Sequence, residues 1–502
     1  MASFKSRLAD IPEGAGVLFF IQIFATLGFA VLYSTLVLYA TQHLHFPAKE
    51  ATTIMGVFGA FNYGLHLFGG YLGGRFLSNR NLFVGGMLLQ VFGCGCIAGG
   101  SVALLYLGLA LFLTGSGLNV TCINMMLTQR FAADDDRREG AFLWNYAGMN
   151  VGFFVGFTAA GHYQLTENYS GLFIFATVGN LVSIIIAALY WKTLADRSTP
   201  LLEAPPRQFR ARFGAGVGIL VGVVPLVWIL LQHPSSTETL VKGICAVVAA
   251  SLVWLAAHHP DVREKNNMWA YLILTLGSLV FWALYQMAPS GLQLFAVNNV
   301  DRNIWGIVIA PQWIQNINTV VIVVGGPLMS ALFVRLRARG WNIDVPKQFS
   351  ASLILMGFGF LALPVGIMLA DSKGMVAFSW LFVSYVLQSV GELLISPVGY
   401  AMIGKLAPQK YQGVMMGSWM LVTGLASLFA GDFSGMVPEP SAEGGALLTN
   451  HAYLTLFAEL GLGSVVVGVG LVLLSPYLRR LITDAEPPSA PLDEALTAAA
   501  PM

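Results

Sequence analysis

The chain has 502 residues, of which 56% are hydrophobic and only 10% charged, well under the roughly 25% charged residues of an ordinary soluble domain. Its 26 basic and 25 acidic residues leave a formal net charge of +1, too balanced for a surface that would grip nucleic acid. A mean hydropathy of +0.71 excludes a soluble globular protein and predicts an all-α polytopic membrane protein.

Apolar runs able to cross a hydrocarbon core of about 30 Å recur along the chain. Fourteen spans are expected near 14–41, 50–73, 82–101, 103–128, 141–163, 170–192, 214–232, 239–257, 268–288, 316–334, 350–371, 376–404, 413–433 and 453–476. The first has no small-residue cleavage site followed by a soluble domain, so it reads as a span rather than a leader. Lys and Arg at span ends are retained in the cytoplasm. Of the 26 basic residues only Lys49, Lys242, Arg302 and Lys373 fall on the other side, which predicts cytoplasmic N- and C-termini and leaves no cation for the membrane interior.

The polar breaks give a six, two, six plan. Residues 1–193 read as an N-terminal six-helix bundle, 194–267 as cytoplasmic linker segments with two additional transmembrane helices, 268–480 as a C-terminal six-helix bundle, and 481–502 as a Pro- and Ala-rich tail expected to be disordered. Equal halves around a linker predict a substrate site near the midplane, exposed to each side in turn as the bundles rock. Cys94, Cys96, Cys122 and Cys245 all lie in apolar spans and read as small buried hydrophobes. No His-Glu-x-x-His or Gly-x-Ser-x-Gly pattern occurs, and Asp134-Asp135-Asp136-Arg137-Arg138-Glu139 mixes in too many cations for a metal loop. That loop is expected to cap spans and pair across the cytoplasmic gate. Neither an enzyme, a metal nor a cofactor is expected.

Several motifs narrow the class. Gly69-Gly70-Tyr71-Leu72-Gly73-Gly74-Arg75-Phe76-Leu77-Ser78-Asn79-Arg80 resembles the signature loop of the major facilitator superfamily, with Gly74 where that superfamily usually carries an Asp. Gate control is accordingly expected to be weakened or relocated. Phe142-Leu143-Trp144-Asn145-Tyr146-Ala147-Gly148-Met149-Asn150-Val151-Gly152, Gln388 to Gly399 around Glu392, and Gly417-Ser418-Trp419-Met420-Leu421 resemble the fifth-, tenth- and eleventh-span signatures of the proton-dependent oligopeptide transporter family. Phe281-Trp282-Ala283-Leu284-Tyr285 and Gln315-Asn316-Ile317-Asn318 are similar to its seventh and eighth spans. The resemblance covers nearly the whole chain. It implies a major facilitator fold in the inner membrane, working as a monomer that moves di- or tripeptides or peptide-like amines together with protons.

Residue by residue, the resemblance implies that Glu392, Asn150 and Asn318 hold the substrate's amino terminus. Tyr63, Trp282, Tyr285 and Trp419 match aromatic pocket positions, and Thr423 on the eleventh span joins them as a substrate-binding candidate. The other half of the family's site is missing. Its first-span Glu-x-x-Glu-Arg motif aligns with Gln22-Ile23-Phe24-Ala25-Thr26-Leu27, its fourth-span Lys falls at Val120, and its seventh-span Glu is Gln286. Joint loss has a physical logic, because a charge at bilayer depth is tolerable only when paired.

Glu392 is then the one acid at mid-span, while Glu13, Glu50, Asp432 and Glu459 lie toward span ends. Its charge has three outlets: protonation, a cage of hydrogen bonds, or an ammonium brought by substrate. Glu392 and His66, which shares a helix face with Asn62 and Tyr63, are candidate proton relays. Gln22 and Thr26, one turn apart, are expected to line the cavity as neutral groups. Peptide transport with non-standard proton coupling is the leading expectation. A facilitator or exporter of a peptide-like metabolite and a non-transporting peptide sensor are the alternatives.

Overall fold

In hydrocarbon each backbone N–H and C=O must be satisfied within its own segment, so the apolar runs become helices. The computed structural model describes residues 14–132, 135, 137–341, 343–437 and 445–483. Among them are fourteen helices of 19 residues or more. The first six are α1 (Ala15–Leu38, extended by a π turn at Tyr39–His43), α2 (Ala48–Leu72), α3 (Asn79–Ile97), α4 (Val102–Thr128), α5 (Arg137–Leu165) and α6 (Tyr169–Leu189). The linker pair is α7 (Pro206–Leu231) and α8 (Pro234–Ala257). The second set begins with α9 (Val262–Tyr285), followed by a short α10 (Gly291–Asn299) and then α11 (Pro311–Ala338), α12 (Val345–Met368), α13 (Phe378–Leu406), α14 (Gln412–Ser434) and α15 (Gly445–Thr483).

Twelve of the fourteen are apolar and long enough to span a bilayer; the two that fall short are α2 and α5. These are the helices that carry Asn62, Tyr63 and His66, and Asn145 and Asn150, so polarity is concentrated on helices that face other helices.

Helices approach closely where side chains vanish. On α4 a Cβ at Gly115 would lie 2.1 Å from the Gly86 carbonyl oxygen of α3, so the two backbones pack face to face. The bundles meet through α2 and α14 in the same way: a Cβ at Gly431 would lie 2.7 Å from the Thr52 carbonyl oxygen. The linker pair straddles both halves. Helix α7 rests on α4, while α8 packs against α2, α9 and α14. Lys242 of α8 bridges Glu238 on its own helix and Asp432 on α14.

Two boundaries differ from expectation. The polar stretch 258–267 ends one helix and starts the next within four residues: Asp261 Oδ1 accepts the Glu264 N–H at 2.9 Å, and Glu264 to Asn267 form the first turns of α9. Hydropathy stops where lipid stops, but a helix continues into water while its caps are satisfied. Helix α10 was not anticipated either, nor were the strand pairs β1 (Val300–Asp301) with β4 (Val376–Ala377) and β2 (Asn303–Ile304) with β3 (Ile307–Val308). Elements this short lie below the length a hydropathy window resolves. Of the expected tail, residues through Thr483 still belong to α15 and 484–502 lie outside the described residues.

The loop with Gly74 in place of Asp is held by the linker. Asp196, beyond α6, accepts hydrogen bonds from the Asn79 backbone N–H (2.8 Å) and side-chain amide (3.2 Å) at the start of α3. The Leu201 N–H donates to the Gly74 carbonyl at 2.9 Å. A carboxylate thus meets the positive end of α3 from another segment of the same bundle. Asp196→Ala is expected to lower stability by about 1 kcal/mol, the usual worth of a helix N-cap. Thermal unfolding in detergent measures it, and an unchanged midpoint would show the contact to be idle.

In the acidic-basic loop Arg137 pairs with Asp135 at 2.7 Å and holds its carboxyl down to about 2. Asp134 and Asp136 lie outside the described residues.

Candidate functional site

Glu392 sits midway along α13 and is only 9% exposed. The Asn318 amide of α11 donates to its Oε2 at 2.7 Å, and also to Ser389 Oγ at 3.1 Å. Tyr285 of α9 lies beside the carboxylate. Three helices therefore converge on one acid. No ion pair among the described residues involves Glu392. A buried carboxylate with a hydrogen-bond donor and no resident cation is a place where an incoming ammonium gains a partner without displacing one.

Beside it, Trp282 stands edge-on to Tyr285, with ring centroids 5.4 Å apart, and its indole Nε1 is buried without a hydrogen-bond partner. The next residue of α9, Gln286, joins the two bundles. Its Oε1 accepts from the Tyr33 hydroxyl of α1 at 2.9 Å, and its Nε2 donates to the Tyr63 hydroxyl of α2 at 2.9 Å. The residue aligned with the family's acidic position is thus an uncharged bridge across the interface.

The other sequence candidates are spread out. Asn150 is buried, and its amide donates to the Tyr146 carbonyl of its own helix at 2.9 Å. Trp419 is 3% exposed and packs against Phe349 and against Gly399, where a Cβ would lie 2.3 Å from its ring. The Thr423 hydroxyl turns back to the Trp419 carbonyl. His66 stands edge-on to Tyr63, and its Nε2 is buried with no partner among the described residues. Gln22 donates to Thr26 at 2.9 Å and accepts from Asn145 at 3.3 Å, so the neutral replacements of the first-span charges knit α1 to α5.

At the end remote from the Arg- and Lys-rich loops, α5 and α11 are zipped by neutral groups. Gln312 donates to Gln164 (3.0 Å), Trp313 Nε1 to the Thr158 carbonyl (2.9 Å) and Asn316 to Thr158 Oγ1 (3.0 Å). Toward the other end the same helices expose Leu143, Trp144, Leu328 and Leu332.

This arrangement, a buried carboxylate where long apolar helices meet, agrees with comparison to known proteins. The family model described as the POT family matches residues 18–450. The chain belongs to the POT family. Among its relatives, dipeptide and tripeptide permease A of Citrobacter koseri is 30% identical over 480 residues, spanning 95% of this chain and 94% of that protein. The permease of the same name from Escherichia coli K12 is 28% identical over 94% of each chain. The crystal structure of peptide transporter POT in complex with sulfate matches with a TM-score of 0.82 at 25% identity, covering 94% of this chain and 96% of that one. A mutant of peptide transporter POT in complex with alafosfalin gives 0.83 over the same shares. This POT-family chain is a multi-pass plasma-membrane protein with the major facilitator fold, not an enzyme.

Sequence reasoning missed two groups that neighbour the candidate residues. Ser389 lies one turn before Glu392, and i, i+3 spacing on a helix is the signal that could have found it. Tyr33 is a hydroxyl within a long apolar run, which is itself a sign of a partner in the membrane interior.

Proposed function

We propose that this chain carries di- and tripeptides or peptide-like amines across the inner membrane by alternating access, with the substrate's ammonium docked on Glu392. The observation that carries the reading is the buried Glu392 carboxylate held by Asn318, with no ion pair to it among the described residues. Trp282 and Tyr285 form the adjoining apolar wall. Asn150, Tyr63, Trp419 and Thr423 belong to the proposed site through the family resemblance, with Asn150 reaching substrate after release from the Tyr146 carbonyl. Protons compete with the ammonium for Glu392, and His66 is the second proton candidate. The protein works as a monomer with both termini in the cytoplasm.

Among the described residues the positions aligned with the family's charged ones are neutral, with Val120 and the Gln22–Thr26–Asn145 network in their place. Purified protein in liposomes is therefore expected to take up C-terminally amidated dipeptides within a few-fold of the free acids, and to reject N-acetylated ones. Strong preference for the free acid would overturn the missing-cation reading; uptake of the acetylated peptide would overturn the amine site. The neutral network of α1 and α5 favours, as a second reading, a facilitator that runs without protons. Counterflow of labelled dipeptide that is indifferent to an imposed pH gradient would select it.

A further inference from the structure

On α13, Tyr385, Ser389 and Glu392 follow one another at i, i+4 and i+7 on one helix face, and Ser389 is fully buried. The Ser389 hydroxyl donates to the Tyr385 carbonyl at 2.6 Å, so towards α11 it has only lone pairs to offer. The Asn318 amide meets it there, donating to Ser389 Oγ at 3.1 Å and to Glu392 Oε2 at 2.7 Å. We infer that Ser389 is a positioning residue: it fixes the Asn318 amide nitrogen against Glu392, and so favours the ionised carboxylate, which takes an ammonium, over the protonated one. This role rests on Glu392 being the amine site.

The chemistry follows from the two ends of an amide. Its nitrogen carries two N–H donors and its oxygen none, and a half-turn of the side chain exchanges them. Facing Glu392, the nitrogen suits a carboxylate, whereas the oxygen would suit a carboxylic acid by accepting its O–H. On its own, Asn318 is free to follow whichever form Glu392 takes. Ser389 removes that freedom, because a flipped amide would set its oxygen against the Ser389 lone pairs unless the hydroxyl gave up the Tyr385 carbonyl. The ionised Glu392 therefore keeps a charge-assisted donor, and the protonated form gains no acceptor from Asn318.

The backbone holds this register. A Cβ at Gly391 would lie 3.1 Å from the Ser352 carbonyl oxygen, so α13 is pressed against α12 two residues from Ser389. The titratable groups facing Glu392 are Tyr285 of α9 and Tyr33 of α1, with Tyr63 of α2 and Tyr385 of α13 next to them. The charged residues of the other surrounding segments lie in end turns, at 263–265 of α9, 335 and 337 of α11, 347 of α12 and 432 of α14. Phenols ionise well above the range in which a proton and an ammonium compete for a carboxylate. Glu392 is accordingly the group whose titration Ser389 acts on.

The test is the pH dependence of alanyl-alanine binding to the full-length protein in detergent, from about pH 5 to about pH 8.5, where carboxylates in buried sites and α-amines titrate. Parent, Ser389→Ala, Asn318→Ala and the double variant are compared, and the ratio of variant to parent Kd at each pH cancels the titration of the peptide's own amine. For Ser389→Ala the ratio is expected to be about tenfold at the acid end and to fall towards one at the alkaline end, the worth of one hydrogen bond in the competition with protons. Because Ser389 acts through Asn318, adding Ser389→Ala to Asn318→Ala is expected to change nothing further. A ratio that does not vary with pH, or a Ser389→Ala effect undiminished in the absence of Asn318, overturns the inference and leaves Ser389 a packing contact. Glu392→Gln run alongside separates the two possible failures. If it binds as tightly as the parent, the amine site and the role of Ser389 fall together; if it loses affinity while Ser389→Ala keeps the parent profile, only the role of Ser389 falls.

Discussion

Glu392→Gln is expected to leave the fold intact and weaken dipeptide binding by roughly 10- to 150-fold, the value of a hydrogen bond to a charged group at about 1.5–3 kcal/mol. The amide keeps an oxygen for the Asn318 donor at 2.7 Å, so the local contact has little reason to collapse. What disappears is the negative charge, the only feature of the pocket that distinguishes an ammonium from any other polar group. A thermal-shift titration with free dipeptide reads the binding loss, and liposome uptake reads its consequence. Asn318→Ala is expected to lose less, because the carboxylate remains and only its orientation is freed. If Glu392→Gln binds and transports as the parent chain does, the amine is recognised elsewhere.

The fold was largely legible because hydropathy responds to burial in lipid, and each of the fourteen long helices overlaps an expected span. The largest offsets are at helix ends, where polar turns extend past the apolar run: α7 starts at Pro206 and not 214, α9 at Val262 and not 268, and α15 at Gly445 and not 453. At the site, Glu392 was legible as the one acid in the middle of an apolar run, whereas Asn318 was reached through the family resemblance. Their 2.7 Å contact joins residues 74 apart in the chain. The role of Gln286 was not legible. Its substitution for an acid could be noted, but its bond to Tyr33 links residues 253 apart, and nothing along either helix encodes that register. The clasp of Asp196 on α3 was hidden for a related reason: the loss of an acid at Gly74 was visible, whereas its replacement came from a separate loop. Aromatic residues were the least informative, since Trp419 serves packing contacts with Gly399 and Phe349 that a cavity-lining tryptophan would match in sequence.

The second large effect is expected at Gln286. Gln286→Leu removes both an acceptor and a donor, leaving the hydroxyls of Tyr33 and Tyr63 without their shared partner in a place water does not easily reach. The Tyr33 hydroxyl, left without its acceptor, costs about 1–3 kcal/mol, and because the bonds run from the end of α9 to α1 and α2, the loss falls on the contact between these helices. Uptake is expected to drop at least tenfold with the midpoint of thermal unfolding lowered by several degrees. Gln286→Glu separates geometry from charge. Its carboxylate can accept from both tyrosines, but once ionised it adds a second negative charge one residue from Tyr285, which lies beside Glu392. Two ionised acids without a cation are strongly disfavoured in such a setting. The variant is therefore expected to transport near parental rates in acid medium, where one acid is protonated, and to fail progressively as the pH rises. A flat pH profile for Gln286→Glu would mean that position 286 is screened from Glu392, and the uncharged bridge would then be a packing contact with no part in setting the chain's response to protons.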